Sequence, residues 1–269
     1  MSQATPPSPS PSNALTISDQ HDITQLCLTT GLLLLQHGAE SALVESVPTR
    51  LGQSLGVETT ELMILPNSLS VTTVHAGHAV TLVRRSVDRG INMHLVTEAQ
   101  RAMLAVEAKQ VDREGFRQRI QSIVPWRYPR WMVALAIGVS CASFARLAGA
   151  DLVTCLLTVV ASTVAMATRQ ILVAMHFNPL VNFFITAFVA TSIASQGLIY
   201  GWGVSPKLAM AACVLLLVPG YPMINAVSDL VKGHYHTGMA RAVMTMLLGG
   251  ATAGGILLAM TVWRVWGWL

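Results

Sequence analysis

The apolar positions of the chain change period along its length. Leu43, Val47, Leu51 and Leu55 recur every fourth residue, which predicts an amphipathic helix that ends at Gly56 and is kinked at Pro48. The next stretches, ELMILPNSLSVTTV and AVTLVRRS, are rich in β-branched residues and joined by HAGH. They read as a strand pair with its turn at Gly77, followed by helical stretches near 92–109 and 112–123. From residue 131 the pattern becomes a series of apolar runs, each about 20 residues long, the length a helix needs to cross hydrocarbon. Five such segments are expected, near 131–149, 152–174, 180–201, 207–227 and 239–263. They are separated by Gly149 to Asp151, HFNP, GWGVSP and the loop DLVKGHYHTG, each with turn or helix-stop chemistry.

Charge sharpens that division. The 52% apolar content and mean hydropathy of +0.54 are averages over two unlike parts, since residues 1–130 hold 22 of the 30 Asp, Glu, Lys and Arg side chains. A soluble core is not so poor in charge as the remainder, which is therefore expected to be a membrane domain. The flank RQRIQSIVPWRYPR, with Arg117, Arg119, Arg127 and Arg130, is the densest basic stretch beside any span, so the N-terminal side is expected to be cytoplasmic. The fold class that follows is a membrane protein: a small cytoplasmic α+β N-terminal domain at 20–125, then an α-helical bundle of about five transmembrane helices at 126–269. Residues 1–19 lack the basic and apolar regions of a secretory signal and read as a disordered Pro/Ser-rich leader. Trp263, Trp266 and Trp268 read as interfacial anchors on the far side.

The formal charge of +4 is modest and its basic residues cluster beside the first span, which points to membrane orientation rather than a nucleic-acid partner. Cys27, Cys141, Cys155 and Cys213 show no metal-ligand spacing, and neither a disulfide framework, a zinc site nor a cofactor is expected. GQSLG at 52–56 matches G-x-S-x-G, but Ser54 stands at the end of a helical stripe, not on a strand-to-helix elbow. His75 and His78 bracket a turn and lack further ligands nearby; His234 and His236 read similarly, with a pH-sensitive or substrate-gating role as the alternative for a loop beside membrane-edge charges. GGATAGG places Gly250 and Gly254 four apart, a packing seam for a helix of the same bundle or of a partner subunit. The segment VPGYPMINAVSD interrupts an apolar run with Pro219, Gly220 and Pro222, then places Asn225 and Asp229 on one helix face. Broken backbone within hydrocarbon is tolerated where protein or a hydrated cavity receives the freed groups, and transporters use such breaks to hold substrate or coupling ions. An ordinary loop beginning at Pro219 is the plainer alternative.

LLLVPGYPMINAVSDLVKGHYHTGMAR and LLLLQHGAESALVESV resemble the signature segments of the threonine/serine exporter (ThrE) family, and QHGAESALV, DRGINMH, PRWMVAL and VPGYPMIN are similar to its YjjP-type branch. The resemblance runs from about residue 20 to the C-terminus. It implies a multi-pass subunit of a bacterial inner-membrane exporter of small carboxylates, succinate first, working with a separate YjjB-type membrane subunit. Matching positions are Gly38, Ala39 and Glu45 in the first motif, and Pro219, Gly220, Pro222, Asn225, Asp229, Gly233, Gly238 and Arg241 in the second. Leu43 stands where amino-acid-exporting relatives often carry Arg, a departure that weakens the transfer of threonine or serine as substrate from the resemblance. A dianion needs compensating charge at low dielectric, so Arg169 and Arg241 are the candidate cations, and Asp229 the candidate for proton coupling or for pairing with an Arg. The alternatives are a threonine/serine exporter and a membrane-anchored regulatory or hydrolytic protein.

Overall fold

The structure, a computed structural model, describes residues 15–266. Most of the expected leader, and Trp268, lie outside that range. The described residues group into two units by contact, one running to Trp126 and including Val227–Gly238, the other made of Arg127–Ala226 and the chain from Met239.

The N-terminal unit begins with a helix that hydrophobic periodicity did not announce, α1 (Ile17–Gln36). Thr16 caps it: the Thr16 hydroxyl accepts from Asp19 N while the Asp19 carboxylate receives the Thr16 N–H. A left-handed Gly38 (φ 89°) ends α1 and lets α2 (Ser41–Ser54) start after Glu40. This helix runs through Pro48 and stops at a left-handed Gly56. Ser54, the G-x-S-x-G serine, donates to Arg50 O as an ordinary helix-end hydroxyl.

The expected strand pair is a three-stranded antiparallel meander, β1 (Thr59–Leu65), β2 (Ser68–His75) and β3 (His78–Arg85), in the order β1-β2-β3. ELMILPNSLSVTTV is two strands because Pro66-Asn67 is a tight turn, pairing Leu65 with Ser68, and proline has no N–H for a ladder. The second turn is at Ala76-Gly77, with His75 opposite His78. Alternation turns Leu69 and Val71 into the core, where they meet Ile23, Cys27 and Leu34 of α1 and Val44, Val47 and Leu51 of α2. Gln20 ties α1 to the sheet by donating to Thr73 O and His78 O, each at 3.0 Å. Helices α3 (Met93–Glu107) and α4 (Arg113–Ser122) complete the core with Met103, Phe116 and Ile120.

The second unit contains α5 (Arg130–Leu147), α6 (Leu152–Ala174), α7 (Pro179–Ile199) and α8 (Pro206–Cys213). The last two helices, α9 (Gly220–Val231) and α10 (Tyr235–Val262), belong mostly to it. Four helices, α5, α6, α7 and α10, are long and apolar enough to span a membrane, and the bent pair Pro206–Leu217 and Gly220–Val231 makes a fifth if counted as one span. The expected loop DLVKGHYHTG is much shorter, because helix persists to Val231 and resumes at Tyr235, leaving a break around Gly233 (φ 88°). Close helix approach here rests on small side chains: Ala161, Ala165, Ala190, Ala194 and Ala209 form one buried seam with Met210 and Cys213.

Candidate functional site

The interruption at Pro219 is a real break. A 3-10 turn at Leu215–Leu217 follows α8, Val218 is extended (φ −66°, ψ 115°), and α9 sets out at 54° to the preceding segment. Neither proline wastes a hydrogen bond. Pro219 precedes α9, and Pro222 lies in its first turn, where an N–H has no intrahelical acceptor. The first N–H to find a helical carbonyl is that of Met223, which donates to Pro219 O at 3.1 Å. The break frees carbonyls of the preceding turn, and Arg169 of α6 answers one of them: its guanidinium donates to Leu216 O at 3.4 Å and lies 4.6 Å from the Phe183 ring centroid. Arg169 forms no ion pair among the described residues. The neighbouring Asn182 of α7 donates to Arg169 O at 3.4 Å, so guanidinium, amide and broken turn are brought together.

The polar pair on α9 is divided. Asn225 is buried in the second unit, whereas Asp229, fully buried, belongs to the N-terminal one. The Asp229 carboxylate receives Ser41 N and Ser41 Oγ, both at 2.9 Å, at the first turn of α2. Exposed amides and the helix dipole favour a carboxylate there, by about 0.3–2 kcal/mol depending on burial. Beside it Glu40 accepts from Lys232 Nζ at 2.8 Å and from Ser228 Oγ at 2.9 Å, and Glu45 lies 3.5 Å from His234 Nε2. Gly38 and Ala39 shape the turn that presents these groups. The two sequence motifs, far apart in the chain, thus meet: Gly38 to Glu45 faces Ser228 to His234. Arg241 is half-buried on α10, and Thr245 donates to its carbonyl.

Two features escaped the sequence reading. Asp151 caps α6 and fixes the α7–α8 connection, accepting from Thr154 Oγ1 and from Val204 N at 3.0 Å. The Thr154 hydroxyl and these amides hold its carboxyl at about 2. Gly203 (φ 81°) is required here, since a Cβ on it would come within 2.5 Å of Thr154 Oγ1. The second feature is a run of buried hydroxyls, Thr154, Thr158 and Ser162 on α6 and Thr186, Thr191 and Ser195 on α7, all without solvent exposure. Four side chains in this region, Ser162, Thr163, Thr191 and Ser192, have buried hydroxyls with no hydrogen-bond partner. An unmet buried hydroxyl costs about 1–3 kcal/mol. The four-residue recurrence 154, 158, 162 was readable in an apolar span; which hydroxyls lack partners was not.

Among the described residues no group of three or more His, Cys, Asp or Glu could hold a metal ion. Residues 25–263 match the family model ThrE, described as "Putative threonine/serine exporter". Relatives from Klebsiella aerogenes and Escherichia coli strain K12 are 47% and 46% identical, each over 93% of this chain and 98% of its own length, and each is named "Probable succinate transporter subunit YjjP". A Haemophilus influenzae protein named "Uncharacterized protein" is 31% identical over 85% of this chain and 88% of its own. No solved structure matches. With its helices of spanning length and a family match over residues 25–263, this multi-pass membrane protein belongs to the threonine/serine exporter (ThrE) family.

Proposed function

We propose that the chain is one subunit of an inner-membrane secondary exporter of small dicarboxylates, with succinate as its first substrate. The observation that carries the reading is the near-complete match to two relatives named as succinate transporter subunits. Arg169 supports it: a dianion at low dielectric needs a cation not already neutralised by a carboxylate, and this guanidinium instead meets a carbonyl and a ring face. Arg241 is the second candidate cation. Asp229 is the candidate proton carrier, and the broken segment Pro219, Gly220, Pro222 with Asn225 supplies backbone and amide dipoles for the permeating anion. The basic flank Arg117 to Arg130 sets the N-terminal unit on the cytoplasmic side. The word "subunit" in the relatives' names supports a second chain, assigned here to a YjjB-type membrane subunit.

The test is efflux of labelled succinate, threonine and serine from vesicles holding this chain alone, the second subunit alone, or both. Succinate efflux that requires both chains is the expected result. Threonine or serine efflux in its place would move the substrate to the amino acids of the family description.

A further inference from the structure

Among the hydroxyls of α6 and α7, the unpartnered ones are not scattered. Thr158, Thr168 and Ser195 donate to carbonyls within their own helices, and Thr186 donates to Asn182 Oδ1. Thr154 donates to Asp151. The exceptions, Ser162 and Thr163 on α6 and Thr191 and Ser192 on α7, fall near the middle of each helix. Thr163 is accounted for sterically, since it packs on Gly138 of α5, where a Cβ would come within 2.1 Å of its hydroxyl. Ser162 and Thr191 are not, and both are completely buried.

The helix register puts them at one level. Asn182 contacts Arg169, and α6 and α7 run in opposite directions with Ala161, Ala165, Ala190 and Ala194 in one seam. Ser162 lies seven residues before Arg169, so on α7 its level falls near residue 189, within a turn of Thr191 and Ser192. Seven residues are two helical turns, about 10 Å, and they keep Ser162 and Arg169 on one face of α6. Along the two helices Arg169 is the sole charged side chain, and no carboxylate is present. Hydroxyls in that field, with no acidic group to receive a cation, are suited to donating to anionic oxygen.

We infer that Ser162, Thr191 and Ser192 form a mid-span subsite that donates hydrogen bonds to a carboxylate of the transported anion, with Arg169 as its counter-charge. This subsite rests on the dicarboxylate-export reading above. It explains why three hydroxyls forgo the back-bonds their neighbours make: a group bonded to its own helix has no proton to offer a passing ligand.

The double variant Ser162→Ala/Thr191→Val tests it, in vesicles that also hold the second subunit, beside wild type and Thr168→Val. Thr168 carries the same chemistry on a half-buried position of α6 with its hydroxyl already satisfied. The double variant is expected to raise KM for succinate at least tenfold, while its thermal midpoint in detergent stays level or rises, because removing an unmet buried hydroxyl relieves the fold. Thr168→Val is expected to match wild type in both. An unchanged KM in the double variant, beside an active wild type, overturns the subsite and leaves the export reading standing. So does a falling midpoint with KM unchanged per folded molecule, the mark of a packing role. Wild type that moves no carboxylate overturns both readings. If the double variant does not accumulate, Ser192→Ala and Ser162→Ala singly are each expected to raise KM, and wild-type values in both overturn the subsite.

Discussion

Asp229 holds two acceptor bonds from Ser41 with no exposed surface, so its substitutions separate structure from transport. Asp229→Asn keeps an acceptor for Ser41 N and exchanges the second oxygen for a donor that Ser41 Oγ can accept. It is expected to cost about 1–2 kcal/mol, remain in the membrane, and abolish succinate efflux. Quantified membrane protein with undiminished efflux would remove the coupling role and leave Asp229 as the anchor of α2. Asp19 gives a titration test outside the membrane. Its carboxyl is held at about 2, below its ordinary 3.8, chiefly by the Thr16 hydroxyl and then by Arg113. A depressed folded pKa means stabilisation present above the unfolded value and lost as pH falls toward 2. Thr16→Val is therefore expected to unfold at lower temperature than wild type at pH 5, with the gap narrowing as pH falls toward 2 to the part owed to the lost cap bond from Asp19 N, as followed by thermal melts. Of these residue roles, Asp229 and Glu45 were visible in the motifs but their partners were not, because nothing local in a sequence says that residue 41 will meet residue 229.

Glycines on α10 act at the level of the helix. A Cβ on Gly255 would lie 2.3 Å from Phe184 O and 2.9 Å from the Ala187 Cβ, whereas one on Gly249 or Gly250 would meet nothing within 4 Å. The seam of GGATAGG is thus used, at its C-terminal end, by α7 of the same chain. Gly255→Ala is expected to cost about 1–3 kcal/mol through forced separation of α10 from α7, and Gly250→Ala to be tolerated; thermal midpoints in detergent read the difference. Spans were legible to within a few residues, because twenty apolar residues in a row leave few choices. Less was legible where a single residue decides: Pro66-Asn67 splits what reads as one β-rich run, and Thr16 with Asp19 begins a helix whose apolar face is blurred by the continuous run GLLLL. The existence of a break at Pro219 was legible, but its bend of 54° and its use of Arg169 were not, since both depend on packing against α6.

At the scale of the whole chain, the change in charge density near residue 126 coincides with the boundary between the two units, but the return of Val227–Gly238 to the first unit has no compositional signal. A dozen residues that include Lys232, His234 and Tyr235 read as a polar connection, and their acidic counterparts Glu40 and Glu45 lie nearly two hundred positions earlier. That return has a consequence for anyone dissecting the gene. Severing it near codon 126 yields two pieces that are each incomplete: the front piece keeps an amide and a hydroxyl of Ser41 without their acceptor, and the rear piece carries the Asp229 carboxylate without those two donors. Loss of activity in either truncation would report an amputated latch, and says nothing about which half moves the cargo.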